Sequence, residues 1–275
     1  MKTKMLKNLW FWFFIPIMIF YILLVPTSCS KDQEIVPNFK TDSVTDIDGN
    51  VYKTVKIGSQ WWMAGDLKVK RYRNGDVIDS MGNFWGSGRM DSALWNHTIT
   101  GAYYIGPYGF LYNGYIIDDT RNIAPIGWHI PDDEEWKTLE MSLGMSKVDA
   151  DKFNWRGTNQ GNKLKIQHPG VGFADWHAIE IDDPKAIIGV NDKYTVWGSN
   201  ESGFSAISNG CVMFNGVEGN PGAQYTGFWW TATSEGNDLW YRYLDYQKAN
   251  VFRYYGTRFY GFGVRCVKDE NNVIN

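Results

Sequence analysis

Pro131-Asp132-Asp133-Glu134-Glu135-Trp136-Lys137-Thr138-Leu139-Glu140-Met141-Ser142-Leu143-Gly144 is the stretch that spells a helix with both ends marked. Asp132 can cap it, and Glu135 stands three residues on, the spacing of a capping box. Trp136, Leu139 and Leu143 fall on one face at i, i+3 and i+7, and Gly144 closes the element. The acids of the first turn complement the positive end of the helix dipole, so Asp132, Asp133, Glu134 and Glu135 have a structural reason to cluster. A shorter helix is predicted over 147–153.

Away from this helix the pattern is that of strands. On the C-terminal side, strands are predicted over 206–215, 227–233, 238–245, 250–255 and 261–268. The last alternates, with Phe262, Val264 and Cys266 on one side and Gly263, Arg265 and Val267 on the other. On the N-terminal side, residues 46–58 read as a hairpin. Gly49-Asn50 suits the positive φ of a two-residue turn, and Val51, Lys53, Val55 and Ile57 alternate with Tyr52, Thr54 and Lys56. Asp46, Asp48 and Asn50 lack the later glycine and glutamate of a calcium loop and are read as turn chemistry. Residues 73–115 are rich in Gly, Asn, Ser and aromatics without a period, an extended loop region with short strands such as 101–105. One helix in a strand-rich chain predicts an α+β single domain with its helix near 132–143.

The N-terminus fixes the expected compartment. Lys2, Lys4 and Lys7 precede an apolar and aromatic run of 17 residues from Leu9 to Val25, the pattern of a secretory signal. The sequence Val25-Pro26-Thr27-Ser28-Cys29-Ser30 then places small residues before a lone cysteine, as a lipobox does, although Pro26 stands where Leu is commonest. The expectation is cleavage after residue 28 and lipidation at Cys29; the alternative is an uncleaved anchor helix. Ser30-Lys31-Asp32-Gln33-Glu34 resembles the surface-export signal of Bacteroidetes lipoproteins, which points to the outer membrane and its cell surface. The expected organisation is a signal peptide over 1–28, a polar tether over 29–43, a domain over 44–269 and a tail over 270–275.

Removing 28 residues leaves 247, with 24 Lys and Arg against 30 Asp and Glu, a balance of −6. That argues against a nucleic-acid partner, which would need a basic stripe. The membrane contact expected is the lipid alone. After Cys29 only Cys211 and Cys266 remain. In an oxidising compartment they could pair across a loop of more than fifty residues, worth about 3–4 kcal/mol in the chain-entropy model, or stand as two buried thiols. His97, His129, His168 and His177 are scattered, so no zinc spacing is present and no metal or cofactor is expected.

Several blocks in one order carry a resemblance. Asp46-Ile47-Asp48-Gly49-Asn50-Val51-Tyr52-Lys53-Thr54-Val55-Lys56-Ile57-Gly58 leads to Trp62-Met63-Ala64-Gly65-Asp66-Leu67-Lys68, and Ala124-Pro125-Ile126-Gly127-Trp128-His129-Ile130-Pro131 leads into the acidic helix. Ser202-Gly203-Phe204-Ser205-Ala206, Phe228-Trp229-Trp230-Thr231-Ala232-Thr233 and Gly261-Phe262-Gly263-Val264-Arg265-Cys266-Val267-Lys268-Asp269 follow. From about Val44 to Asp269 the chain resembles the FISUMP domain, the Fibrobacter succinogenes major paralogous domain. It departs where Asp66 stands for the usual Asn, and where Gly210-Cys211 replaces a glycine-rich aromatic segment, so no pairing of Cys266 is inherited. The resemblance implies an exported bacterial protein, often a lipoprotein. Its blocks are similar to those of formylglycine-generating-type and C-type-lectin-like domains, which implies a C-type-lectin-like fold.

Enzymatic signatures are missing. No Gly-x-Ser-x-Gly elbow, phosphate loop or His-Glu-x-x-His helix occurs. Cys266 in an alternating strand reads as core or disulfide, and His129 between Trp128 and Ile130 reads as a packed or hydrogen-bonded histidine. The Glu-Pro-Asn, Gln-Pro-Asp and Trp-Asn-Asp tripeptides of calcium-dependent lectins are absent too. The expected function is a non-catalytic binding module for a glycan or a surface protein, with Trp85, Trp95, Tyr103 and Tyr108 as loop aromatics that could meet the ligand. The alternative is a structural or assembly lipoprotein of the envelope.

Overall fold

A computed structural model of the chain describes residues 39–83, 102–104, 110–166, 198–213 and 225–270. These belong to one compact unit, Pro37–Asn275. The predicted signal, Cys29 and most of the predicted tether lie outside the described residues.

The chain opens with strands β1 (Thr41–Thr45), β2 (Val51–Ile57) and β3 (Gln60–Met63), followed by β4 (Ser80–Asn83), β5 (Ala102–Tyr104) and β6 (Phe110–Asn113). Helix α1 (Gly114–Ile117) and the short β7 (Trp128–His129) lead to α2 (Asp133–Ser142) and α3 (Lys147–Ala150). Then come β8 (Asn154–Arg156), α4 (Gln160–Leu164), β9 (Thr226–Glu235), β10 (Asp238–Asp245), β11 (Val251–Thr257), β12 (Gly261–Phe262) and β13 (Val267–Lys268). The strands form three sheets, β1-β2-β3-β13-β7, β8-β11-β10-β9 and β12-β6-β5-β4, so the domain is mostly β with a few short helices.

Helix α2 has the predicted ends. The Asp132 carboxylate accepts the Glu135 N–H at 2.7 Å, and Glu135 accepts the Asp132 N–H at 2.9 Å, which completes the capping box. Two predicted elements are corrected. The first hairpin does not close with two residues: its turn runs from Asp46 to Asn50, because Asp46 Oδ1 accepts the N–H groups of both Asp48 and Asn50 and holds a wider loop. Residues 206–213 make only isolated bridges, at Ala206, Gly210 and Val212, and not a strand. Beyond Asn159 the chain enters α4 before any strand.

The five-stranded sheet has a core cluster on each face, which explains why β2 and β3 do not alternate simply between buried and exposed. Tyr52 and Met63 join a cluster with Phe110, Tyr112, Trp230, Phe262 and Cys266. Val55, Ile57, Trp62 and Val267 join the other with Trp136, Leu139, Phe204 and Trp229. Each large apolar side chain removed from water contributes roughly 1.5–3 kcal/mol, so these aromatic layers dominate the stabilisation.

Two buried ionic networks tie the layers together. Arg265 Nε donates to Asp66 Oδ1 at 2.6 Å, Trp229 Nε1 donates to the same oxygen at 3.0 Å, and Asn209 Nδ2 donates to Asp66 Oδ2 at 2.8 Å. The remaining Arg265 donors meet the carbonyls of Phe204 and Ser205. Gly263 sits against this cluster, where a Cβ would lie 2.3 Å from Asn209 Nδ2, so the second glycine of Gly-Phe-Gly is a close-approach position. In the second network Asp133 turns inward from α2 to meet Arg242 (2.8 Å) and Arg253 (2.6 Å), and Glu140 meets Arg242 (2.8 Å) and Arg156 (2.7 Å). Burial alone would raise the Asp133 carboxyl, but the bonds and charges of Arg253 and Arg242 hold it well below the usual carboxylate range.

Cys211 and Cys266 both lie in the first cluster as buried thiols. Burial raises the Cys211 thiol to about 12 and pushes the Cys266 thiol higher still.

Candidate functional site

The adjacent pair Trp61-Trp62 sits in β3, and successive side chains of a strand point to opposite faces. Trp62 is fully buried and packs on Trp136 at 5.0 Å between ring centroids. Trp61 stays only half-buried. Strand β13 lies beside β3 with Val267 opposite Trp62, and β7 lies beyond it with His129 opposite Val267. The capped start of α2 brings Glu135 to the same rim.

These elements enclose a cleft of about 310 Å³ lined by Ser59, Gln60, Trp61, Glu135, Val267, Lys268, Asp269 and Glu270. That is near the lower end of small-ligand pockets, which run from about 300 to 1,000 Å³. Behind it, His129 is held by both ring nitrogens. Nδ1 meets Asp269 at 2.6 Å, and Nε2 meets the two Glu135 oxygens at 2.8 and 2.9 Å. The hydrogen bond to Glu135 and then that to Asp269 raise His129 to about 9 against the opposing effect of burial, so it is an imidazolium at neutral pH. Its charge fixes the two carboxylates in place.

Gln60 is also oriented, because its Oε1 accepts the Trp62 indole N–H at 3.2 Å and its amide N–H groups remain as donors. Across the Trp61 ring stands the Lys40 ammonium, 5.7 Å from the centroid, within cation–π range. The cleft therefore combines an aromatic face with carboxylate acceptors and the hydroxyl and amide of Ser59 and Gln60. With both nitrogens bonded, His129 has no basic lone pair to offer, and nothing in the rim forms a nucleophile–base pair. Among the described residues no group of His, Cys, Asp and Glu could hold a metal ion, and no helix is long and apolar enough to cross a membrane.

Of the aromatics singled out in the sequence, Trp85, Trp95 and Tyr108 lie outside the described residues, and so does Cys29. Tyr103 falls in β5, which pairs through Tyr103 with Leu111 of β6. The sequence reading missed Trp61. The available signal was the Trp-Trp dipeptide itself: in a strand whose Trp62 is core, its neighbour must face the other way.

The domain class is thus a mostly-β unit with short helices and a rim cleft where β3 meets the last strand, β13. The model of the Fibrobacter succinogenes major domain matches residues 55–268, and the chain belongs to that family. No curated protein and no solved structure matches it. The matched region contains β3, β7, α2 and the whole of β13, so all the lining residues but Asp269 and Glu270 fall within it.

Proposed function

We propose that this protein is a non-catalytic binding module, held outside the cytoplasm by a lipid on Cys29, that takes a glycan in the cleft beside Trp61. One observation carries the reading: the partly buried indole of Trp61 lines the cleft together with oriented hydrogen-bonding groups, Gln60, Glu135 and Asp269, that suit the apolar face and hydroxyl edge of a sugar ring. The engagement of Glu135 and Asp269 with His129 favours binding over catalysis. A glycosidase would need two carboxyls poised on either side of a bond, one of them protonated. The junction of β3 with the C-terminal β13 is in keeping with a C-type-lectin-like arrangement without its calcium tripeptides.

The test is a glycan-array screen of the full chain in detergent micelles beside Trp61→Ala. Retention of one glycan class by the parent, lost in the variant with its melting temperature unchanged, supports the reading. Silence from a folded parent overturns it. A second reading, an assembly lipoprotein of the envelope, is favoured by the edge strand β8, next to which Phe153 (51 % exposed) and Tyr254 (38 % exposed) present aromatic surface. Crosslinking in the envelope that is lost in Phe153→Ser and kept in Trp61→Ala would support that one instead.

A further inference from the structure

We infer that the glycan met at Trp61 is acidic: it bears carboxylate or sulfate groups, which are taken by a row of lysines on the face of the sheet that carries Trp61. The inference rests on the binding reading above and goes on to the chemistry of the ligand.

Residues paired across neighbouring strands share a face of the sheet. Lys56 of β2 pairs with Trp61 of β3, and Lys268 of β13 pairs with Trp128 of β7. Val267 opposite Trp62 sets Lys268 opposite Trp61 in the antiparallel register. On the other side the Lys56 N–H donates to the Lys40 carbonyl at 3.0 Å, which continues the β1–β2 register and sets Lys40 opposite Lys56. One row therefore crosses the sheet in the order Lys40, Lys56, Trp61, Lys268, Trp128. Four strand-to-strand steps of about 4.8 Å make it roughly 19 Å long, enough for several sugar rings. The three lysines are exposed, Trp61 is half-buried between two of them, and Trp128 closes the row as part of the core.

The charges are sorted by face. His129 stands opposite Val267, on the side of Trp62, so its ion pairs with Glu135 and Asp269 belong to the other face. Among the described residues none of the three lysines joins an ion pair. Arg73 adds a cation at the Trp128 end, where it donates to the Trp128 carbonyl at 2.8 Å. The carboxylates nearest along the chain are Asp42, two residues beyond Lys40, and Glu270, two beyond Lys268. Lys40, Lys56, Lys268 and Arg73 against Asp42 and Glu270 leave the face positive. Adding His129 with Glu135 and Asp269 still leaves one cation in excess. Lys40 lies 5.7 Å from the Trp61 centroid, further out than the 3.8 Å at which Arg121 covers Tyr72, so the indole is bordered and not capped. A sugar ring laid on Trp61 thus has an ammonium on either side, in reach of an acid group on that ring or on the next. A neutral sugar would use Trp61 and Gln60 and leave the flanking lysines without a role.

The experiment is calorimetric titration of the full chain in non-ionic detergent micelles at pH 7 with two matched pairs of ligands. One pair is a galacturonic acid tetramer and its methyl ester; the other is a sulfated galactose tetramer and its unsulfated counterpart. The acidic member of at least one pair is expected to bind at least about tenfold more tightly, and which pair shows the gap tells carboxylate from sulfate. The gap should close in 1 M salt, where the screening length falls to about 3 Å. Lys56 does not line the cleft, so Lys56→Gln is the specific variant: it should weaken the acidic ligand by roughly three- to tenfold and leave the neutral one unchanged. Equal affinity within both pairs, or an acidic preference unaltered in Lys56→Gln, overturns the inference. Inorganic polyphosphate binding as tightly as the acidic sugar would show an unspecific anion face and overturns it as well. Binding of neutral glycans alone, lost in Trp61→Ala, overturns it while leaving the binding module intact. Absence of binding to all four tetramers, together with silence on the array, removes both.

Discussion

Arg265 Nε donates to Asp66 Oδ1 across 2.6 Å, and both side chains are buried. The pair joins the third residue after β3 to the segment between β12 and β13. Removing one partner of a buried pair leaves the other charged in an apolar site, at roughly 3–5 kcal/mol. Asp66→Ala is expected to reach that range in urea denaturation. Asp66→Asn should lose less, about 1–3 kcal/mol, since its amide oxygen can still accept from Arg265 while its N–H groups face the Asn209 donor.

The inward Asp133 predicts an acid response. Its folded carboxyl titrates below the ordinary value near 3.9. The stability it supplies is therefore present above about pH 4 and is lost as pH falls toward the depressed folded value. Asp133→Asn should lower stability by about 3–5 kcal/mol at pH 7, because Arg242 and Arg253 lose their shared carboxylate. It should also flatten the pH dependence below pH 4 in urea titrations, whereas an unchanged acid slope would show that the network does not govern it.

His129 predicts the opposite sign. Its folded state binds the proton more tightly than an unfolded histidine near 6.5, so its contribution is complete below about pH 6.5 and disappears as pH rises through about 9. Solvent screening of these partly exposed partners limits the effect to about 1 kcal/mol. An NMR titration of the ring should give a midpoint near 9, and Glu135→Gln should bring it down toward the ordinary value.

The buried thiols predict redox indifference. Cys211 and Cys266 should resist a thiol reagent in the native chain and react once it is unfolded, since burial keeps both protonated. Reductant should leave the melting temperature where it was. A fall of several degrees would reveal a bridge.

What the sequence made legible was local. The α2 capping box could be read from Asp132 and Glu135 alone, and β9, β10 and β11 could be read from runs of aromatic and β-branched residues. Residues 206–213 misled because their apolar side chains serve a buried irregular segment that touches three different partners, Lys165, Gly227 and Gly261. The inward role of Asp133 was hidden because the helix dipole already accounts for an acid there, and its arginine partners lie more than a hundred residues away. The cleft was hidden for the same reason: Glu135 and Asp269 meet on His129 only after β13 has returned to lie between β3 and β7.

The central claim is that ligand is met at Trp61. Its most direct test is the indole N–H spectrum of the ¹⁵N-tryptophan-labelled chain, titrated with a glycan retained on the array, with Trp61→Phe to assign the resonance. The account predicts that the Trp61 signal moves first and saturates with the calorimetric affinity. Movement confined to other tryptophans, Trp85 or Trp95 among them, with Trp61 unmoved at saturation, would contradict it.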